Sequence, residues 1–83
     1  MTFKIAFKHS IERDLKQIDK SDAGAILDKI ETELSINAGR YPALKGKFKG
    51  LRKYRVGQYR AVYTLANDTV LILRISHRKE AYR

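Results

Sequence analysis

LRKYRVGQYRAVYTLANDTVLILRIS, residues 51–76, decides the fold. The run divides into three extended segments at about 51–56, 59–65 and 69–76, separated by Gly57-Gln58 and Asn67-Asp68. Gly, Asn and Asp tolerate positive φ, so each pair can close a two-residue hairpin. With Gly57-Gln58 as the tight turn, Arg55 lies opposite Arg60, and Lys53 follows two residues along on the same face. Across the second turn, Arg60 and Val62 are expected to share a face with Leu71, Leu73 and Ile75, while Tyr54, Tyr59, Tyr63, Leu65, Val70 and Ile72 take the other. Like charges placed opposite each other destabilise a sheet, so three converging cations imply a missing negative partner. Helices can cover one apolar side of the last strand; the other leaves an apolar strip beside the cations, a docking site for a partner.

Upstream, TFKIAFK alternates Phe3, Ile5 and Phe7 with polar or small residues, the period of a strand with one buried face. Ser10 is the expected N-cap of a first helix carrying Ile11, Leu15 and Ile18, which ends at the polar turn around Lys20. Ser21 or Asp22 is expected to cap a second helix whose stripe is Ala23, Ile26, Leu27, Ile30 and Leu34, with Gly39 as its stop. The short link predicts a helical hairpin with both apolar faces turned to one sheet. The expectation is one α+β domain over residues 1–83, ordered β-α-α-β-β-β, with the hairpin packed on one face of a small, mainly antiparallel sheet. A chain of 83 residues leaves room for one modest core.

The net charge is +9, and its distribution says more than its sum. Residues 1–33 carry six Lys/Arg and seven Asp/Glu, whereas residues 34–83 carry twelve and two. No acid interrupts the chain between Glu33 and Asp68, while Arg40, Lys45, Lys47, Lys49, Arg52, Lys53, Arg55 and Arg60 accumulate. A one-sided field of this kind favours phosphate polymers, acidic partners or anionic surfaces. A membrane surface fits least well, because the basic stretch is not an amphipathic helix with a large apolar face. Lys45, Lys47, Lys49 and Arg52 are read as electrostatic contacts to a phosphate polymer such as RNA. The absence of cysteine excludes disulfides and thiolate metal sites, and two isolated histidines make no convincing zinc site. No cofactor or metal is expected. The N-terminus lacks the continuous apolar run of a signal peptide or membrane span, so a soluble cytoplasmic protein is expected.

The element order, together with YPALKG, LRKYRVGQYRAVY and ISHRKEAYR, resembles the RelE/ParE superfamily of type II toxin–antitoxin toxins across essentially the whole chain. The resemblance implies a RelE-like fold and an antitoxin that wraps the toxin in a hetero-oligomer. It implies one of two activities: the RelE branch cuts messenger RNA in the ribosomal A site, and the ParE branch poisons DNA gyrase. It carries Lys53, Arg55, Arg60, Arg78 and Tyr82 onto positions that RelE-type nucleases use for catalysis or RNA positioning, and matches His77 to a histidine common in related toxins. The terminal set of His77, Arg78 and Tyr82 favours the nuclease. Cutting RNA through its own 2′-hydroxyl requires deprotonation of that hydroxyl, stabilisation of a charged phosphorane and protonation of the departing 5′-oxygen. Arg55 stands where relatives carry lysine; a guanidinium stays protonated and clamps phosphate, which leaves the base role to Lys53 or His77. Beside the nuclease stand a gyrase poison and a non-catalytic RNA-binding or decayed toxin.

Overall fold

The computed structural model describes residues 2–44, 50–77 and 79. The alternating N-terminal segment forms β1 (Lys4–Phe7), followed by α1 (Ile11–Lys16) and α2 (Lys20–Lys29). The second helix continues through a π-helical turn (Ile30–Leu34) and one α-helical turn (Ser35–Asn37), and ends in a 3₁₀ turn (Ala38–Arg40). Then come β2 (Leu51–Val56), β3 (Tyr59–Ala66) and β4 (Thr69–His77), within a residue of the segments expected from the sequence. The sheet order is β1-β4-β3-β2; β1 runs parallel to β4 and the other pairs are antiparallel.

Capping departs from expectation. Ser10 precedes α1 with helical backbone angles and makes no side-chain cap, because the chain is already turning at Lys8 and His9. Asp19, not Ser21 or Asp22, caps α2: its carboxylate accepts from the Ser21 backbone N–H at 3.3 Å and from the Ser21 hydroxyl at 2.6 Å. These bonds favour the charged carboxylate and hold it below the usual range. Gly39 lies inside the terminal 3₁₀ turn without positive φ, so it is not a left-handed stop; the chain becomes extended at Tyr41.

The π turn has a packing reason. Ile26, Ile30, Leu34 and Ala38 recur every four residues and all are buried. In a straight α-helix such a row drifts by about 40° per step, whereas a wider turn keeps it aligned. The row meets Tyr54, Ala61, Tyr63, Val70, Ile72 and Ile75 from one face of the sheet, and this is the core. Tyr63 donates its hydroxyl to the Ala38 carbonyl, tying the helix end to β3. Glu33 Oε1 accepts from Asn37 at 2.9 Å and from the Tyr41 hydroxyl at 2.7 Å, bonds that hold its carboxyl below the usual range.

Both two-residue turns form as expected, with positive φ at Gly57 (59°) and Asn67 (56°). The face assignment beyond the second turn changes. A β-bulge interrupts the β3–β4 ladder, so that Val62 pairs with Arg74 but Tyr63 pairs with Ile72. The extra residue on β4 reverses the alternation downstream. Ile75, expected beside Arg60, instead pairs with Ala61 and is 2% exposed in the core. The predicted apolar strip shrinks accordingly, leaving half-buried Leu51, Val62 and Leu71 on the outer face.

Candidate anion-binding face

The β2–β3 ladder is in the expected register. Arg55 is the cross-strand partner of Arg60, and Lys53 is the partner of Val62. Extending the rows across β4 gives Arg55–Arg60–Ser76 and Lys53–Val62–Arg74. Strands lie about 4.8 Å apart, so the two rows set four cations over a patch two strand spacings wide, roughly 10 Å. The three strands contain no acidic residue. Arg55 and Arg74 are exposed, and Lys53 and Arg60 are half-buried. The Nε and Nη1 atoms of Arg60 are out of contact with solvent, which fixes its guanidinium more firmly than a free surface arginine. Among the described residues, the side chains of Lys53, Arg55 and Arg74 make no hydrogen bond or ion pair. Such a surface can hold a polyanion: planar guanidiniums pair with phosphate bidentately, and an ammonium acts as a movable point charge.

Arg74 is not among the residues expected from the sequence. Strict alternation from Thr69 puts it with Val70 and Ile72 in the core; the bulge moves it to the cationic face. The available signal was its charge, set at an otherwise apolar position of LILRI.

The same bulge moves His77 the other way. Its partner is Tyr59, on the helical side of the sheet, and the two rings meet edge to face at 5.4 Å and 82°. His77 Nε2 lies 3.0 Å from Gln58 Oε1, and Nδ1 accepts from the Lys79 backbone N–H at 3.2 Å. With both ring nitrogens engaged on the far side of the sheet, His77 does not join Lys53, Arg55 and Arg60, and it is withdrawn as a base candidate. Arg52 is a second correction to the expected RNA contacts. It pairs with Tyr63 on the helical side, and its Nη1 donates to the carbonyls of Tyr41 at 2.6 Å and Gly39 at 3.4 Å. That guanidinium fastens the end of the helical segment to β2. Lys45, Lys47, Lys49, Arg78 and Tyr82 lie outside the described residues.

Two further contacts hold the edges of the face. Residues 42–44 lie along β2: Leu44 N–H donates to Leu51 at 2.8 Å, Lys53 N–H donates to Pro42 at 3.3 Å, and Ala43 bridges Arg52. On β4 the pairing with β1 stops at Ile72, and Asp14 of α1 accepts the Ile75 N–H at 3.0 Å. A carboxylate thus takes the place of a missing strand.

The structure is thus a small α+β fold with a helical hairpin on one sheet face and four cations gathered on the other. The family model of the ParE toxin of type II toxin–antitoxin systems matches residues 5–82, and the chain belongs to this family. It is a toxin of the RelE/ParE superfamily. Solved structures agree in fold. The RelBE2 toxin–antitoxin complex from Mycobacterium tuberculosis matches with a TM-score of 0.89 and 26% identity, over 96% of this chain and 95% of that one. A RelE double mutant from E. coli in the free state matches with a TM-score of 0.78 and 12% identity, over 98% and 88%. The chromosomal ParDE system of P. aeruginosa matches with a TM-score of 0.70 and 16% identity, over 92% and 96%. No curated protein matches by sequence.

Proposed function

We propose that this toxin is a ribosome-dependent mRNA endonuclease that cuts message in the A site by attack of a ribose 2′-hydroxyl on the adjacent phosphate. The observation that carries the reading is the cross-strand pairing of Arg55 with Arg60 on a face that also holds Lys53 and Arg74. Facing cations cost a folded sheet stability, and a phosphodiester with developing negative charge offsets that cost. Arg55 and Arg60 clamp the phosphate and stabilise the phosphorane. Guanidiniums stay protonated, so the base role falls to Lys53, which in its neutral amine form takes the 2′-hydroxyl proton on its lone pair. Arg78 and Tyr82 are assigned on family resemblance, Arg78 to the phosphate and Tyr82 to stacking on a base. This chemistry calls on side chains alone, without metal or cofactor.

The partner that silences the toxin is a separately encoded antitoxin, as in the toxin–antitoxin complexes among its structural relatives. A groove on the helical side of the sheet, lined by Phe7, Ile11, Leu15 and Leu27, offers that partner an apolar seat; Phe7 is 38% exposed there. Among the described residues no helix is long and apolar enough to cross a membrane, and the proposed site of action is the cytoplasmic ribosome. The ParE family model favours a second reading, in which the same cations bind gyrase or DNA and cleave nothing.

Expression without antitoxin, with message ends mapped on purified ribosomes and gyrase activity followed in parallel, separates the two. Discrete A-site ends support the nuclease; gyrase-linked DNA breaks with intact message replace it. Arg60→Ala should retain its fold and lower cleavage by roughly 10²–10³-fold, the range for losing one donor to a transition-state oxyanion. A folded Arg60→Ala protein cutting at the parental rate removes Arg60 from the mechanism.

A further inference from the structure

We infer that the centre of the outer sheet face, built from Ala6, Leu51, Val62, Thr64 and Leu71, is a nucleobase subsite: it seats a base of the single-stranded RNA whose phosphates the neighbouring cations hold. The choice of RNA as occupant rests on the nuclease reading, and the subsite adds a contact that phosphate alone cannot make.

The sheet register draws the subsite. Next to the Lys53–Val62–Arg74 row lies Leu51–Thr64–Leu71–Ala6, which crosses all four strands. These four side chains and Val62 are half-buried. Neighbouring rows on one face are two residues apart, roughly 7 Å, so Val62 lies between two cations and Leu71 one row beyond them. The following row, Ala66–Thr69–Lys4, sets an exposed lysine at the far end. An uncharged floor thus lies between positive charges on both sides. A nucleotide chain has the matching layout, with charged phosphates on either side of a flat, uncharged ring.

Size decides against a protein in this place. A stable protein interface covers about 800 Å² on each partner and centres on aromatic or arginine anchors. This floor offers Leu51, Val62 and Leu71, with the shorter Thr64 and Ala6 between and beside them, and no side chain in these rows is aromatic. A single base is small enough to be seated there. Thr64 makes no demand of its own: its hydroxyl donates to the Gly50 carbonyl at 3.3 Å, so a base lying over it strands no donor. Only unpaired RNA can turn a base to this face, because a duplex keeps its bases inside and offers phosphates and sugars. Aliphatic groups read no base edge, which makes the contact tolerant of sequence.

The test is a thermodynamic cycle on binding at low salt. One ligand is a short 2′-O-methyl oligonucleotide, which lacks the hydroxyl needed for cutting; the other is an abasic chain of the same backbone, length and charge. In Leu71→Thr the affinity for the oligonucleotide should fall about fivefold, the order expected for losing one buried methyl-sized group or a little more. The abasic chain should bind Leu71→Thr as it binds the parental protein. Val62→Thr, close in shape and compatible with a strand, should show the same pattern, and it decides the matter where Leu71→Thr fails to fold. Equal losses on both chains, no loss on either, or no binding by the parental protein overturns the inference. Message cleavage on ribosomes is followed separately. A base-dependent loss in a protein that cuts no message upholds the subsite and overturns the nuclease reading, whereas cutting without a base-dependent loss does the reverse.

Discussion

Arg55, Arg60 and Arg74 have the same charge and different standing. Arg60 is held with buried guanidinium nitrogens, as befits a clamp; Arg55 is exposed opposite it, where its charge is a cost until an anion arrives. Arg74 is exposed at the far end of the Lys53–Val62–Arg74 row, where on the proposed nuclease reading it would meet a polyanion beyond the phosphate assigned to Arg55 and Arg60. Arg74→Gln should therefore weaken binding of single-stranded RNA and leave the cleavage step nearly untouched. Each phosphate contact contributes about 0.7 to the slope of log affinity against log salt for single strands, so the slope should fall by about that amount. A salt titration of RNA binding that gives the parental slope makes Arg74 a solvated bystander. The Arg55–Arg60 pair was readable because a two-residue turn fixes what stands opposite what. Arg74 and His77 were not readable, because one inserted residue exchanges their faces. Arg52 was misread in spite of the pattern: alternation already set it opposite Lys53, and counting charge overrode the face.

Turns and the bulge decide which way each strand shows its side chains. Gly57 and Asn67 both take positive φ at the first turn position, but glycine does so without the Cβ penalty. A Cβ built at Gly57 meets nothing within 4 Å, so Gly57→Ala isolates the backbone cost. It should lower stability by about 1–2 kcal/mol, and Asn67→Gly should recover part of that in the same protein. Denaturant midpoints measure both; a Gly57→Ala protein of parental stability would show that the turn does not require the left-handed conformation. The strands were legible to within a residue because apolar alternation and turn chemistry agree over residues 51–77. The bulge was hidden because Val70-Leu71-Ile72-Leu73 is apolar on both faces and marks no phase. The end of the helical segment was hidden for a related reason: a period of four in Ile26, Ile30, Leu34 and Ala38 resembles a helix of ordinary pitch until geometry shows the wider turn.

At the scale of the molecule, charge and tyrosine chemistry divide between the two sides of one sheet. The outer face gathers cations, while the helical side buries phenols: burial first, and then nearby acidic or aromatic groups, push Tyr41 and Tyr54 above the usual phenol range. Tyr63 is the sharpest case. Burial pushes it up to about 12, partly offset by the Arg52 guanidinium, and its hydroxyl donates to the buried Ala38 carbonyl. Replacing it with Phe leaves that carbonyl without its donor and should cost about 1–3 kcal/mol at neutral pH. The pH dependence carries the sign. A folded-state value above the unfolded one means the native protein holds the proton more tightly, so this stabilisation is complete below about pH 10 and is lost as the pH rises toward 12. Tyr63→Phe has no such proton to lose. The stability gap between the two proteins should therefore narrow between pH 10 and 12, even as both weaken through loss of their other ionic interactions. Parallel denaturant titrations across that window, with tyrosinate absorbance followed alongside, measure the gap. A constant difference would mean that Tyr63 ionises no later in the native protein than in the unfolded chain, and that the phenol does not seal the junction between the helical segment and the cationic sheet.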